Sequence, residues 1–308
     1  MTHSSAPGKI ILFGEHAVVY GRPALAVPVT QVHADVEVSD SARSGIWIEA
    51  PAVGLQAELN ALAPDHPLAA VINNLFFRSH VSPFPNLEIR ITSTIPVASG
   101  LGSGAAVTVA LTRALASHLD GSMTDEELNA FAYEIEKIHH GTPSGIDNTV
   151  VTYARPVYFV KDQSIETFLV GQPFTIVIAD TGIPAPTKES VADVRKLFES
   201  DEKYWDNVFD EMADISFAAR RVIEEGWIEM LGALLDENHA LLQHLTVSSP
   251  ELDALVEAAR RAGALGAKLS GGGRGGNMIA LVEPESAETV AASLKEAGAR
   301  NTIITQIT

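Results

Sequence analysis

From Leu87 to Leu119 the chain runs through an alternating apolar stretch, a glycine-rich turn and a helical stripe in direct succession, and this succession restricts the fold more than any other segment. Leu87, Ile89 and Ile91 alternate with polar neighbours, the period of a strand with one buried face. Val107, Leu111, Leu115 and Leu119 recur every four residues with alanines between them, the pattern of an apolar helical stripe. Between the two lies Pro96-Val97-Ala98-Ser99-Gly100-Leu101-Gly102-Ser103-Gly104-Ala105-Ala106. Glycines let the backbone approach an anion closely, and a helix that follows offers unpaired N–H groups and the positive end of its dipole, so a polyphosphate is a natural guest. The spacing is neither G-x-x-x-x-G-K-[ST] nor the dinucleotide fingerprint with its acidic residue about twenty positions on. Taken alone, such a turn is also simply a tight connection.

Composition narrows the classes. With 39 acidic against 21 basic side chains, the formal charge is −18, which disfavours an electrostatic grip on nucleic acid or an anionic membrane. A hydrophobic fraction of 46% supplies a core and excludes a disordered chain. There is no cysteine, so disulfide scaffolds, thiolate metal sites and cysteine nucleophiles are excluded together. No leader pattern opens the sequence and no apolar run approaches the roughly 18 residues of a membrane span, which points to a cytoplasmic protein. A length of 308 residues fits two domains.

Strands are expected over residues 9–13, 24–38, 157–160, 174–180, 277–282 and 302–307, and a helix over 105–119. Thr124 and Glu127 form a capping box that starts a helix carrying Leu128, Phe131, Ile135 and Ile138 to about His140, where Gly141, Pro143 and Gly145 end it. Residues 188–262 read as mostly helical, broken at Gly226 and at Ser248-Ser249-Pro250, and a last helix is expected over 285–297. Strands mixed with helices without regular βαβ alternation predict an α+β class, with domains 1–165 and 166–308.

Three blocks in order carry a resemblance. Ala6-Pro7-Gly8-Lys9-Ile10 leads into Gly14-Glu15-His16-Ala17-Val18-Val19-Tyr20-Gly21; the glycine turn follows at Pro96 to Ala106; Ala267-Lys268-Leu269-Ser270-Gly271-Gly272-Gly273-Arg274-Gly275-Gly276 lies near the end. Together they resemble the motifs of the GHMP kinases, small-molecule kinases that share a phosphate-binding P-x-x-x-G-L-G-S-S-A loop. Within that superfamily, His140-Gly141-Thr142-Pro143-Ser144-Gly145-Ile146-Asp147-Asn148, the GEHAVVYG turn and Asp180-Thr181-Gly182 are most similar to the mevalonate kinase branch. The resemblance implies an N-terminal mixed-sheet domain, a C-terminal ferredoxin-like α/β domain, and transfer of the γ-phosphoryl of ATP to the C5 hydroxyl of mevalonate, with ATP and Mg2+ required. The implied partner is this small hydroxy acid, with no nucleic acid and no membrane; a homodimer is compatible with the sequence.

By the same resemblance Asp147 is the base or orienting carboxylate for the attacking hydroxyl, and Lys9 stabilises the developing alkoxide. Pro96, Ser99, Gly100, Leu101, Gly102, Ser103, Gly104 and Ala105 would cradle the nucleotide phosphates. Glu136 and Ser103 would hold the metal, for which hard oxygen donors are suited. Glu15, His16, Thr181 and Gly272 would line the acceptor pocket. Each has a plainer alternative: Asp147 can stabilise a turn, Lys9 can face solvent, Glu136 can belong to a solvated helix face, and His16 can be a hydrogen bonder within its own turn. His139 and His140, about 100° apart on a helix, are expected to serve packing rather than to chelate one ion.

Two positions depart from the family pattern. Gly104 stands where a second serine is usual, so the metal-side hydroxyl is left to Ser103 or to water. Arg274 stands where a small residue is usual, and its guanidinium can either assist the transferred charge or pair with an acidic surface. Other readings stay open: a related kinase acting on phosphomevalonate or another hydroxy acid, a decarboxylase of the superfamily, and a non-catalytic metabolite sensor on the same fold.

Overall fold

The computed structural model describes residues 1–308 except Val97, Ala98, Gly141, Thr142, Ile165 and Pro186, together with the side chains of His139 and His140. In chain order the elements are β1 (Thr2–Phe13), β2 (Ala24–Asp40), β3 (Ile46–Ala50), β4 (Leu55–Glu58), α1 (Pro67–Arg78), β5 (Leu87–Ser93), α2 (Ser103–His118), α3 (Asp125–His140) and α4 (Ile146–Tyr153). There follow β6 (Val157–Phe159), β7 (Glu166–Thr167), β8 (Phe174–Asp180), α5 (Thr187–Ser200), α6 (Glu202–Glu225), α7 (Leu231–His244), α8 (Pro250–Arg261), β9 (Gly266–Ser270), β10 (Asn277–Val282), α9 (Ala287–Glu296) and β11 (Asn301–Ile307).

By internal contacts the chain divides into two compact units, neither of them continuous in sequence. The first comprises Met1–Gly8, Val32–Val97 and Gly102–Ala154; the second comprises Lys9–Gln31, Ala98–Leu101 and Arg155–Thr308. β1 and β2 each supply residues to both units.

In the first unit β5 behaves as its alternation predicts, with Leu87, Ile89 and Ile91 buried and their neighbours exposed. It pairs antiparallel with β2, Val36 opposite Ile91 and Val38 opposite Ile89, and parallel with β3, Ile48 opposite Ile89. These cross-strand apolar pairs make the sheet mixed. The helix after the glycine turn is broader in its burial than the four-residue stripe implies. Ala106, Val109, Ala110 and Ala114 are buried beside Leu111 and Leu115, whereas Val107 and Leu119 are only half-buried. The reason is that α2 packs against α1, α3, α4 and β5, so nearly its whole circumference is core, and alanine and threonine let the neighbours approach. Thr112 donates its hydroxyl to the Thr108 carbonyl at 2.7 Å, which satisfies the polar group inside that core. The capping box forms as expected: Glu127 N–H donates to Thr124 Oγ1 at 3.2 Å and Thr124 N–H donates to Glu127 Oε2 at 2.9 Å.

The second unit contains a four-stranded antiparallel sheet in the order β11-β8-β10-β9. Its central strands β8 and β10 are buried almost throughout, as their continuous apolar sequences demand. Helices α7, α8 and α9 pack on this sheet, with Trp205, Phe209 and Met212 of α6, Leu252 and Val256 of α8, and Val290 and Leu294 of α9 in its core. From β8 onward the chain reads strand, helices, strand, strand, helix, strand, which is the ferredoxin-like arrangement the resemblance implies. At the α7–β9 contact two backbones touch: a Cβ on Gly266 would lie 2.1 Å from the Gly232 carbonyl oxygen, so both positions require glycine. Helix breaks fall where expected, with Gly226 at φ 78° ending α6 and Ser249 capping α8 by accepting from Leu252 N–H at 3.3 Å.

Candidate active site

In the second unit β1 ends in a turn that the sequence forces. Gly14 has φ 89°, and a Cβ there would sit 2.3 Å from the Pro23 carbonyl oxygen, so the chain reverses where only glycine fits. His16 adopts φ 61° before a short 3-10 turn at Ala17–Tyr20. Lys9 is buried on β1, and its N–H donates to the Leu101 carbonyl at 3.0 Å, which joins the first motif to the glycine turn.

Glu15 and His16 are both buried but do different things. Glu15 accepts from Lys268 of β9, a lysine with no exposed surface that also donates to the Leu269 carbonyl at 2.7 Å. Burial pulls the Lys268 ammonium below its ordinary range, and the Glu15 carboxylate opposes that shift. The other Glu15 oxygen, Oε2, is buried and makes no hydrogen bond. His16 Nε2 donates to the Gly272 carbonyl at 3.1 Å. Burial lowers the imidazole pKa to about 4 against the Gly272 bond, with Arg274 and Lys268 adding to the depression, so the ring is neutral at physiological pH.

The glycine turn is built for close approach: Gly100 and Gly102 have φ 77° and 75°. The buried Ser99 offers its carbonyl to Asn277 Nδ2 at the start of β10, and Asn277 Oδ1 has no partner. Gly102 caps α2 without a side-chain hydrogen bond, and the first turn of α2 carries no acidic residue. A Cβ added to the exposed Gly104 meets nothing within 4 Å. Val97 and Ala98 of this motif lie outside the described residues.

The third block is a loop in which Gly271, Gly273, Arg274, Gly275 and Gly276 all have positive φ. It packs along the segment after β8: Thr181 N–H and Thr181 Oγ1 donate to the Gly276 carbonyl at 2.9 and 3.0 Å, and Gly276 N–H donates to the Ile183 carbonyl at 2.8 Å. The Thr181 hydroxyl hydrogen is therefore engaged in the turn, and this side chain can offer a substrate only its acceptor capacity. Arg274 resolves one alternative left open above, since its Nη1 donates to Asp193 Oδ2 at 2.6 Å.

In the first unit Asp147 stands in the first turn of α4, a short helix that the Gly and Pro content of the block conceals in sequence. Gly145 at φ 88° begins it, and the Ser144 hydroxyl accepts from Ile146 N–H at 3.3 Å. Asp147 and Glu136 are both half-buried. With its amide nitrogen turned toward acceptors, the buried Asn148 donates to Glu136 Oε2 at 3.2 Å and to the Gly145 carbonyl at 3.0 Å, which links α3 to the start of α4. His139 and His140 have side chains outside the described residues, as do Gly141 and Thr142 of the same block. Sequence reasoning gave no role to Lys268, Asn277 or Asn148. The signal for Lys268 was available: a single charge inside Gly266–Ser270, between apolar neighbours, must find a counter-charge.

Residues 67–155 match the GHMP kinases N terminal domain, and residues 219–300 match the GHMP kinases C terminal domain. The chain belongs to the GHMP kinases. Its relatives include the mevalonate kinase of Thermococcus sibiricus, 37% identical with 96% of this chain and 93% of that one covered. The mevalonate kinase of Pyrococcus abyssi is 36% identical with 96% and 92% covered. Among solved structures, the mevalonate kinase of L. major in complex with R-mevalonate superimposes with a TM-score of 0.87 at 29% identity, over 100% of this chain and 96% of that one. As a GHMP kinase this protein is an ATP-using phosphotransferase; the glycine turn at 96–106 falls within the match to the N terminal domain and the third block, 267–276, within the match to the C terminal domain. Among the described residues no helix is long and apolar enough to cross a membrane, and no group of three or more His, Cys, Asp or Glu side chains gathers to hold a metal.

Proposed function

We propose that this GHMP kinase transfers the γ-phosphoryl group of ATP to the C5 hydroxyl of mevalonate, giving 5-phosphomevalonate and ADP. The observation that carries the reading is 37% identity to a mevalonate kinase over 96% of the chain. The cytoplasm, where ATP is held, is the compartment this reading assigns.

In the reaction the C5 oxygen forms its bond to Pγ while the bond from Pγ to the β,γ-bridging oxygen breaks, and ADP departs with the electron pair. Asp147 orients the hydroxyl and takes its proton. Lys9 opposes negative charge on the attacking oxygen. The backbone of the Ser99–Ala105 turn, with Pro96 at its entry, holds phosphate oxygens at the start of α2. His16, Gly272 and Thr181 serve the acceptor side, with Glu15 holding His16's turn in place through its bond to Lys268.

A divalent cation fits the donor set. Glu136 is a carboxylate held by Asn148 and Ser103 is a hydroxyl at the first position of α2, both hard oxygen donors of the kind magnesium takes. Among the described residues no group of three or more His, Cys, Asp or Glu side chains gathers, so nucleotide oxygens and water would supply the remaining ligands. When bound, such a cation neutralises charge on the β- and γ-phosphates.

The test is ADP release measured against mevalonate, phosphomevalonate, homoserine and galactose. Release with mevalonate alone is expected. Preference for any of the other three overturns the acceptor assignment, and release with none of them overturns the assignment of this chain as a kinase of these acceptors.

A further inference from the structure

In the loop between β9 and β10, five residues have positive φ and one of them, Arg274 at φ 58°, is not glycine. A side chain in the left-handed region costs free energy, and the surroundings must hold it there. Three bonds do so. Arg274 Nη1 donates to Asp193 Oδ2 on α5 at 2.6 Å, its Nε donates to the Thr246 carbonyl at 3.3 Å, and its N–H donates to the Val247 carbonyl at 2.8 Å. Thr246, in the turn between α7 and α8, is itself left-handed at φ 60°. The neighbouring Gly273 passes so close to this turn that a Cβ would lie 1.9 Å from the Val247 carbonyl oxygen. Asp193 also accepts from Lys196 at 2.8 Å, and the two cations hold its carboxyl down at about 2, so it stays ionised.

The clamp lies between the two places where the loop meets site residues. Two residues before Arg274, the Gly272 carbonyl accepts from His16; three residues after it, Asn277 donates to the Ser99 carbonyl. A glycine at 274 would adopt the same φ without cost but would lose the guanidinium, so the arginine exchanges backbone ease for attachment to α5.

We propose that Arg274 is a positioning residue: clamped to Asp193 and to the Thr246–Val247 turn, it fixes the third glycine loop so that the Gly272 carbonyl holds His16 in register for the acceptor. The inference rests on the kinase reading for its catalytic part. Its structural part stands on the loop alone.

Arg274→Gly relieves the backbone and removes the side chain, Asp193→Asn keeps both shapes and removes one charge, and Arg274→Lys keeps the charge. For each full-length variant, His16 ring resonances are recorded by NMR, and KM for mevalonate, kcat and Tm are measured. The expected result for Arg274→Gly and Asp193→Asn is shifted His16 ring signals, a rise in acceptor KM of about fivefold or more, kcat within about twofold and Tm close to that of the parent chain, with partial recovery of KM in Arg274→Lys. Unmoved ring signals overturn the clamp whatever the activity. Shifted signals with an unchanged KM overturn its catalytic role, as does a fall in kcat that follows a fall in Tm. A parent chain that phosphorylates no acceptor sinks the functional reading separately, because the ring signals still decide whether Arg274 sets the loop.

Discussion

Lys268 donates to Glu15 in a place where water reaches neither side chain: the lysine is 0% and the glutamate 2% exposed. The pair fastens β9 to the turn that carries His16, two segments 253 residues apart in sequence. Taking both charges out of water is expensive, and their attraction offsets that cost only while both are present.

Removing one partner therefore costs more than removing both. Lys268→Met is expected to destabilise the protein by about 3–5 kcal/mol, because it leaves a buried carboxylate uncompensated. Adding Glu15→Gln to that variant is expected to restore a large part of the loss. Urea denaturation of the two variants checks this, and a double variant less stable than the single one contradicts it.

Asp147→Asn is expected to abolish phosphoryl transfer while leaving ATP affinity within a few-fold of the parent value, since in the proposed mechanism only the proton acceptor is lost. Single-turnover transfer and nucleotide titration measure the two quantities separately. Full retained turnover would remove Asp147 from the chemistry.

Gly104→Ser restores the hydroxyl usual in the family at a position where an added Cβ meets nothing within 4 Å. Stability is expected to rise by up to about 0.5 kcal/mol from helix propensity, with activity kept and half-saturation by magnesium at an equal or lower concentration. Loss of activity would show that this glycine is needed for close approach of the nucleotide rather than tolerated.

His16 and His239 are both buried, and desolvation holds each pKa at about 4. His239 Nδ1 accepts from Leu269 N–H at 3.3 Å, and its Nε2 lies 3.2 Å from Asp253 Oδ1, which partly opposes the shift. Below the unfolded value of 6.5 the unfolded chain binds protons that the folded chain refuses, so stability is full above pH 6.5, falls as the pH drops to about 4, and stops falling from this source below that. Each ring contributes on the order of 3 kcal/mol across that window. His16→Gln, which keeps an amide donor for Gly272, is expected to flatten the pH dependence of urea midpoints between those limits. An unchanged slope would place the titration elsewhere.

Gly266→Ala is expected to cost at least about 2 kcal/mol by overpacking, because a Cβ there would lie 2.1 Å from the Gly232 carbonyl oxygen and helix α7 would have to move off β9. A thermal melt within a degree or two of the parent would show that the two elements separate easily.

Much of the fold is legible in the residues because it is local. The Thr124–Glu127 capping box, the alternation of β5 and the continuous apolar β8 and β10 specify their elements through neighbours a few positions away. Elements without such a signal were missed: α4 hides behind Gly145 and Pro143, and β9 carries a lysine in the middle of five buried positions. The motif residues were legible as types, but their engagements were not. Sequence presents Glu15 and His16 as one polar pair; in the structure one is bound to Lys268 and the other to the Gly272 carbonyl.

From the sequence alone, composition, periodicity and turn chemistry, which act over short distances along the chain, determined the α+β class and most local elements, while the kinase class and the residues for phosphoryl transfer came from the resemblance carried by the three glycine-containing blocks. Only the tertiary structure decided that Lys268 answers Glu15, that Asn277 holds Ser99, that Thr181 spends its hydroxyl hydrogen on Gly276 and that Arg274 is anchored to Asp193. Burial and hydrogen-bond geometry between segments from 81 to 253 residues apart set those partners, and no local pattern encodes which distant group a buried charge or amide will meet.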